Sequence, residues 1–327
     1  MLNPKHQFLS DYQRIIEHLF FSILPKLVWY QQNLSPFSIW KKSDGSFVTP
    51  ADYGVQFLIQ RKLSGEISGI PFVCEETVHE LCEKQLQSVY DFVSLYVPDV
   101  SSSLITDVLF GGQHAATDTF WLIDPIDGTS GFIKNQSFSV VVSLIIDGEP
   151  CISVIACSDP NIRKQNPLQP YLVFSARKNH GSFSLCISKK SISYQKISTA
   201  TALTHRFCEA PMAAYNQQHL ITKRLSEILP SRPKPIRIDS QYKYACVASG
   251  KVDFFLRVPH IKTQASPWDH IPGALLTEEA GGIVSDLLGN PLKMRTPLQL
   301  ENQEAIIAAS NPNIHDEVLT KLKSIVQ

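Results

Sequence analysis

The stretch FWLIDPIDGTSGF, residues 120–132, limits what this chain can fold into more than any other. Its apolar start reads as a buried strand, and that strand ends abruptly in Asp124-Pro125-Ile126-Asp127. Carboxylates at the mouth of a core repel one another and are costly to desolvate. Such a pair persists when a cation neutralises it. Pro125 restricts the backbone and biases Asp124 toward extended geometry. A tight turn can then aim both carboxylates, with the Ile126 carbonyl between them, at one point. Gly128 and Thr129 follow, and backbone amides there can hold an anion such as phosphate. The segment therefore predicts a metal and a phosphate side by side.

Other acids stand at the ends of predicted elements and not on exposed faces. Glu75 and Glu76 follow the strand-like PFVC, Asp269 sits in PWDHIPGALLTEEAGG, and Asp52 opens a helix. Oxygen ligands without His or Cys favour Mg²⁺ over zinc. Each residue also has an ordinary reading. Asp52 and Asp269 are good helix N-terminal acids, Glu75-Glu76 a solvated pair, and Thr129 a turn hydroxyl. Lys243 and Arg257, taken singly, read as exposed. Periodicity does not decide which of Glu75 and Glu76 faces a metal.

Thirty basic residues balance thirty acidic ones among 327, so no net field draws the chain to nucleic acid or to an anionic membrane. With 43% hydrophobic residues a sizeable core is expected, in two domains or one large α/β unit. The seven cysteines are scattered with no CxxC pair, which argues against a structural zinc site and a disulfide framework. MLNPKHQFLSDYQRI lacks a signal-peptide core, and HLFFSILPKLVWY is too short to span a bilayer. A cytoplasmic protein is expected.

Helical spacing predicts a first helix from Ser10, as its N-cap, to about residue 33. Thr49, Pro50 and Asp52 read as N-cap, first and third residues of a second helix, a short-armed capping box. Residues 80–118 read as an excursion, partly helical. Strands are expected at 120–124, 138–146 and 151–157, the last two joined by an Asp147-Gly148 hairpin. SDPNIRKQNPLQP, 158–170, reads as an exposed loop, with a domain boundary near 175–200. Strands are then expected near 205–209, 236–239, 252–257 and 304–309. Helices are expected at 217–228, 269–280 and from 314, with Gly281-Gly282 ending the second of these.

DPIDGT together with WDHIPGALLTEEAGG resembles the lithium-sensitive, Mg²⁺-dependent phosphomonoesterase superfamily that includes inositol monophosphatase. KSDGSFVTPADYGVQ is similar to that family's third motif. FWLIDPIDGTSGFIKNQSFSVVVSLI and DSQYKYACVASGKVDFFLRVPH are similar to its 3′(2′),5′-bisphosphate nucleotidase branch. Four motifs in the right order, from about residue 42 to 310, carry the resemblance. It implies the layered αβαβα sandwich of the inositol monophosphatase and fructose-1,6-bisphosphatase type. An α+β domain, 1–175, would hold most metal ligands; an α/β domain, 176–327, would hold Asp269 and the nucleotide-binding residues.

The resemblance further implies Glu75, Asp124, the Ile126 carbonyl, Asp127 and Asp269 as ligands for two Mg²⁺ ions, with a third near Asp52. Asp52 and Thr129 become the pair that orients and deprotonates water. Asp127, Gly128, Thr129 and Asp269 would meet the scissile phosphate, and Ser240, Lys243 and Arg257 the nucleotide and its second phosphate. The implied reaction is hydrolysis of 3′-phosphoadenosine 5′-phosphate, with its sulfated form an open alternative, to AMP and phosphate. An inositol monophosphatase or polyphosphatase, or a non-catalytic nucleotide sensor, are the rivals. The complete carboxylate set argues against a sensor, and Ser240, Lys243 and Arg257 suit a second phosphate. A small bisphosphorylated nucleotide is the expected partner, and a monomer or weak homodimer the expected state.

The chain departs from the family pattern at several points. Cys74 stands where glycine is usual, Ser130 where the branch has lysine, and ASPWDH lacks a basic residue before the tryptophan. EAPMAAYNQQ sits where relatives carry nucleotide-holding histidines, which leaves Met212 or Tyr215 to serve, by stacking.

Overall fold

A computed structural model describes the chain except residues 1–3, 78–80, 111–116, 189–190, 202–203, 212–215, 259–264, 302–304 and 327. First come α1 (Pro4–Gln32), β1 (Trp40–Lys41), β2 (Phe47–Val48), α2 (Pro50–Glu66), β3 (Phe72–Cys74), α3 (Glu83–Ser94) and α4 (Ser102–Phe110). Next are β4 (Phe120–Asp127), α5 (Thr129–Ile133), β5 (Phe138–Ile146), β6 (Glu149–Ser158), α6 (Pro160–Gln165), β7 (Leu172–Arg177), β8 (Gly181–Ser188) and β9 (Ser191–Ile197). Then follow β10 (Phe207–Glu209), α7 (Asn216–Ile228), β11 (Ile236–Arg237), α8 (Tyr242–Ala248), β12 (Phe254–Arg257) and α9 (Ile271–Glu279). The chain closes with β13 (Ile283–Asp286), β14 (Met294–Thr296), β15 (Gln299–Leu300), β16 (Ile306–Ala309) and α10 (Pro312–Val326).

Strands β3 to β9 form a seven-stranded sheet in chain order, antiparallel but for the β3–β4 pair. The other large sheet is mixed, ordered β11-β10-β12-β16-β13. Alternation along the strands, with both faces apolar, sorts these into layers. On β4, Trp121 and Ile123 pack with Leu27 of α1 and Phe57 of α2, whereas Leu122 faces the opposite core. That middle core holds Ala245 of α8, Leu275 of α9 and Phe255 of β12. Phe254 and Leu256, one step away on β12, turn outward to Leu225 of α7 and Val318 of α10. The order is therefore α1/α2, seven-stranded sheet, α8/α9, five-stranded sheet, α7/α10: the expected αβαβα sandwich. Each large apolar side chain so buried contributes about 1.5–3 kcal/mol.

Helix α2 starts as its sequence requires, with Thr49 and Asp52 forming a reciprocal capping box and Pro50 in the first turn. The β5–β6 turn has Asp147 and Gly148 both at positive φ, 53° and 75°, as a two-residue hairpin demands. Three expectations need correcting. Ser10 is not an N-cap, because α1 already runs from Pro4 and carries Pro25 inside it. The segment 158–170 is not all loop. The Asp159 side chain accepts from the amides of Asn161 and Ile162 at 2.6 and 2.9 Å and starts α6, which buries Ile162. The strand expected at 236–239 shortens to β11, a two-residue edge strand. Strands β7 to β9 carry the first sheet on to Ile197, and the second sheet begins at Phe207. No helix among the described residues is long and apolar enough to cross a membrane.

Candidate active site

Residues three apart on a regular strand face opposite sides. Asp124 and Asp127 escape this rule. Strand β4 pairs Asp124 with Val141 and Asp127 with Ser139, so three steps on β4 match two on β5. The bulge at Pro125-Ile126 adds one residue and brings both carboxylates to the same side. Proline, with no N–H to lose from the ladder, is suited to that place. Asp269 enters from a 3₁₀ turn, Pro267–Asp269, one turn ahead of α9 and not inside the helix expected at 269–280. Asp124, Asp127 and Asp269 each offer an oxygen, and these atoms lie within 4.8 Å of one another.

Glu75 joins them. Its amide donates to the Ile123 carbonyl at 3.2 Å, one step past the Cys74–Ile123 pair, and its side chain reaches Asp124. Burial pushes the Asp124 carboxyl well above its ordinary range, and Glu75, Asp127 and Asp269 push the same way. Asp124 Oδ1 is buried with no hydrogen-bond partner. An all-oxygen donor set with an orphaned carboxylate oxygen fits a hard divalent cation. Lys42 Nζ bridges the two glutamates, 2.8 Å from Glu76 Oε1 and 3.4 Å from Glu75 Oε1, and Glu76 Oε2 is buried with no hydrogen-bond partner. Gln56 of α2 grips the Glu76 backbone from both ends of its amide, at 2.8 and 3.1 Å. What distinguishes the two glutamates that periodicity left equivalent is the side-chain contact with Asp124, which Glu75 makes.

Asp52 lies behind the cluster, fully buried. Its Oδ2 accepts from the Thr49 amide and hydroxyl, both at 2.7 Å, and its Oδ1 accepts from Thr129 Oγ1 at 3.2 Å. Thr129 Oγ1 also lies 3.0 Å from the Ile126 carbonyl. Capping α2 and meeting Thr129 are therefore done by different oxygens of one carboxylate. Burial pushes the Asp52 carboxyl up to about 7, although the Thr49 hydroxyl pulls it down. Gly128, at φ 84°, opens α5. A Cβ there would lie 3.1 Å from Ser240 Cβ and 3.2 Å from its amide nitrogen, so only glycine lets the second sheet's loop come this close.

Residues 25–327 match the inositol monophosphatase family model. The chain belongs to the inositol monophosphatase family. It is 30% identical over 288 residues to a 3′(2′),5′-bisphosphate nucleotidase of Schizosaccharomyces pombe, covering 82% of this chain and 81% of that one. It is also 30% identical over 300 residues to a 3′(2′),5′-bisphosphate nucleotidase of Dictyostelium discoideum, covering 88% of each. Among solved structures, Thermotoga maritima IMPase superposes with a TM-score of 0.64 at 19% identity, over 98% of both chains. As a member of this family the chain is an enzyme, of the phosphatase class.

The acidic cluster opens on a polar cavity of about 150 Å³, where Asp127 and Asp269 are joined by Ser240, Lys243, Arg257 and His270. Lys243 Nζ donates to the Ser240 carbonyl at 2.7 Å and sits 5.4 Å above the Phe255 ring. Arg257 Nη1 is buried without a partner. Ser240 adopts a left-handed φ of 68°, and its hydroxyl is committed to Ser139 Oγ at 2.8 Å. What it turns toward the cavity side is its carbonyl, through Lys243. Gln241 had no sequence signal, yet it ties the parts together. Its amide N–H donates to Asp127 Oδ2, its side-chain Nε2 donates to the Trp268 carbonyl at 2.7 Å, and its Oε1 accepts from the Gly273 amide at 2.9 Å. Lys42 likewise gave no warning, being one lysine of a turn-like KKSDGSF. Cys74 is buried, which pushes its thiol up and keeps it protonated. Ser130 lies in α5. Met212 and Tyr215 fall outside the described residues.

Proposed function

We propose that this phosphatase is a Mg²⁺-dependent phosphomonoesterase that removes the 3′-phosphate of 3′-phosphoadenosine 5′-phosphate, giving AMP and phosphate. One observation carries the reading: a single cavity is lined by Asp127 and Asp269 and also by Lys243 and Arg257. The carboxylates ask for divalent cations, and the two cationic side chains ask for an anion beyond the one being cleaved. A substrate with two phosphates meets both demands. An inositol monophosphate would leave Arg257 Nη1 buried and unpaired. The nucleotidases of S. pombe and Dictyostelium support the same substrate class.

In this reading Glu75, Asp124, Asp127, Asp269 and the Ile126 carbonyl would hold two Mg²⁺ ions, and by family resemblance Asp52 would face a third. Bound there, Mg²⁺ supplies charge for the phosphate oxygens and makes water more acidic. The chain's own part begins at Thr129. Its hydroxyl takes the proton of the attacking water while passing its own to Asp52 Oδ1, 3.2 Å away. With Oδ2 occupied by Thr49, Oδ1 is the oxygen free to receive it. The Gly128 and Thr129 amides, at the start of α5, steady the phosphate. Lys243 and Arg257 hold the second phosphate, which fixes the ribose oxygen opposite the water.

Phosphate release from 3′-phosphoadenosine 5′-phosphate, its sulfated form, inositol phosphates and adenosine 3′-monophosphate, with Mg²⁺ and with chelator, tests this. The expected result is Mg²⁺-dependent, lithium-sensitive turnover that favours the bisphosphates. Nucleotide binding without turnover would favour a sensor, and preference for inositol phosphates would overturn the substrate assignment.

A further inference from the structure

His270 stands in the polar cavity with one ring nitrogen used and the other idle. The residue is 4% exposed and shares the cavity lining with Lys243, Arg257 and Asp269. Its Nδ1 lies 3.0 Å from the Tyr244 hydroxyl, while its Nε2 is buried with no hydrogen-bond partner. Tyr244 is itself buried, and its hydroxyl makes no other hydrogen bond among the described residues. A buried phenol O–H needs an acceptor, and Nδ1 is the one it has. The ring proton therefore sits on Nε2.

Tyr244 is not free to shift this arrangement. A Cβ added to Gly273 would fall 2.4 Å from its ring, so α9 packs directly upon it. Phe255 meets the same ring edge-on at 4.9 Å between centroids. His270 is thus an N–H donor of fixed direction and no acceptor. Arg257 Nη1, in the same cavity, is in the same state. Leaving a buried donor unpaired is costly. Two of them on residues that line one small polar cavity point to an anion as their missing partner.

We propose, on the bisphosphate reading above, that His270 is a specificity-determining residue whose Nε2–H donates to the substrate's second anionic group in the cavity shared with Lys243 and Arg257. A neutral N–H contributes direction where the two cations contribute charge. It rewards a phosphoryl oxygen at one position and offers nothing to a substrate without it.

The test compares wild type with His270→Phe, His270→Gln and Tyr244→Phe on 3′-phosphoadenosine 5′-phosphate and adenosine 3′-monophosphate. His270→Phe should narrow the preference for the bisphosphate about tenfold, through KM and not kcat. His270→Gln, which still carries an N–H donor, should restore most of it. Tyr244→Phe should give an intermediate KM. In ¹⁵N spectra of the imidazole, wild type should show the proton on Nε2, and Tyr244→Phe a mixture of tautomers. A KM change equal for both substrates, or a wild-type proton on Nδ1, overturns the proposal. Should wild type fail to turn over the bisphosphate at all, the substrate reading falls first. Metal-free binding of inorganic phosphate then decides the role of His270: weaker binding in His270→Phe sustains it, and equal binding ends it.

Discussion

The acidic corner and the cationic cavity meet at Asp127 and Asp269 but are built in opposite ways. In the corner, like charges from β4, the turn before α9 and Glu75 just past β3 are pressed together, and Asp124 keeps an oxygen without a partner. In the cavity, donors from Arg257 and His270 are left without acceptors. One region leaves an acceptor unpaired and the other leaves donors unpaired, although the chain as a whole is balanced in charge. Lys243 does not simply neutralise the corner, because its ammonium is turned to the Ser240 carbonyl. These two unmet demands adjoin at Asp127 and Asp269, and the proposed metal-bound substrate with two anionic groups would satisfy both.

The sharpest way to break this comparison is Asp52→Asn. Loss of a positioned base costs about 10²–10⁴-fold in kcat, with KM little changed, as phosphate release at saturating Mg²⁺ would report. A loss below tenfold would mean that Asp52 only caps α2. Next in size, Lys243→Ala and Arg257→Ala should each raise KM for the bisphosphate about 10- to 100-fold. Adenosine 3′-monophosphate should be affected much less; equal effects on both substrates would erase the distinction between corner and cavity.

Gly128→Ala strikes the seam where the two regions touch. With φ at 84° and Ser240 Cβ 3.1 Å from the new methyl, it should destabilise the fold by about 1–3 kcal/mol. Denaturant unfolding measures this, and an unchanged midpoint would mean that the loop at Ser240 yields freely.

The smallest effect is on pH dependence without divalent ions. Burial pushes the Asp52 and Asp269 carboxyls from an ordinary 3.8 to about 7. Between those values the folded protein holds protons that the unfolded chain has released. The stability these two carboxyls contribute is therefore fully present below about pH 4 and is lost as pH rises through 7. Ligation needs the ionised acids, so the rise in Tm on adding Mg²⁺ should grow across the same window. Metal-free stability that climbs from pH 5 to 7.5 would contradict a buried, unneutralised corner.

The acidic corner was legible because its signals are local. A proline between two aspartates, and a Thr-Pro-x-Asp helix start, each act within four residues, and α2 starts where that pattern says. The same logic lay unread at Asp159-Pro160, where α6 begins. Strand β9 escaped notice because it is a largely exposed sheet edge whose apolar alternation is limited to Ile192 and Tyr194. Lys42 and Gln241 were invisible for another reason: their partners, Glu76 and Asp127, lie far along the chain.

By itself the sequence determined the alternation of the strands, the capped start of α2, the glycine turn after Asp127 and the stock of acids at element ends. These follow from backbone stereochemistry and short-range hydrogen bonding, which need no distant neighbour. Only the tertiary structure decided that Asp124 and Asp127 share a side, that Glu75 and not Glu76 joins them, and that His270 has an idle nitrogen. Those outcomes depend on a bulge in the β4–β5 register, the hold of Gln56 on the Glu76 backbone and the packing of α9 on Tyr244. Each is settled by which surfaces meet once the layers close.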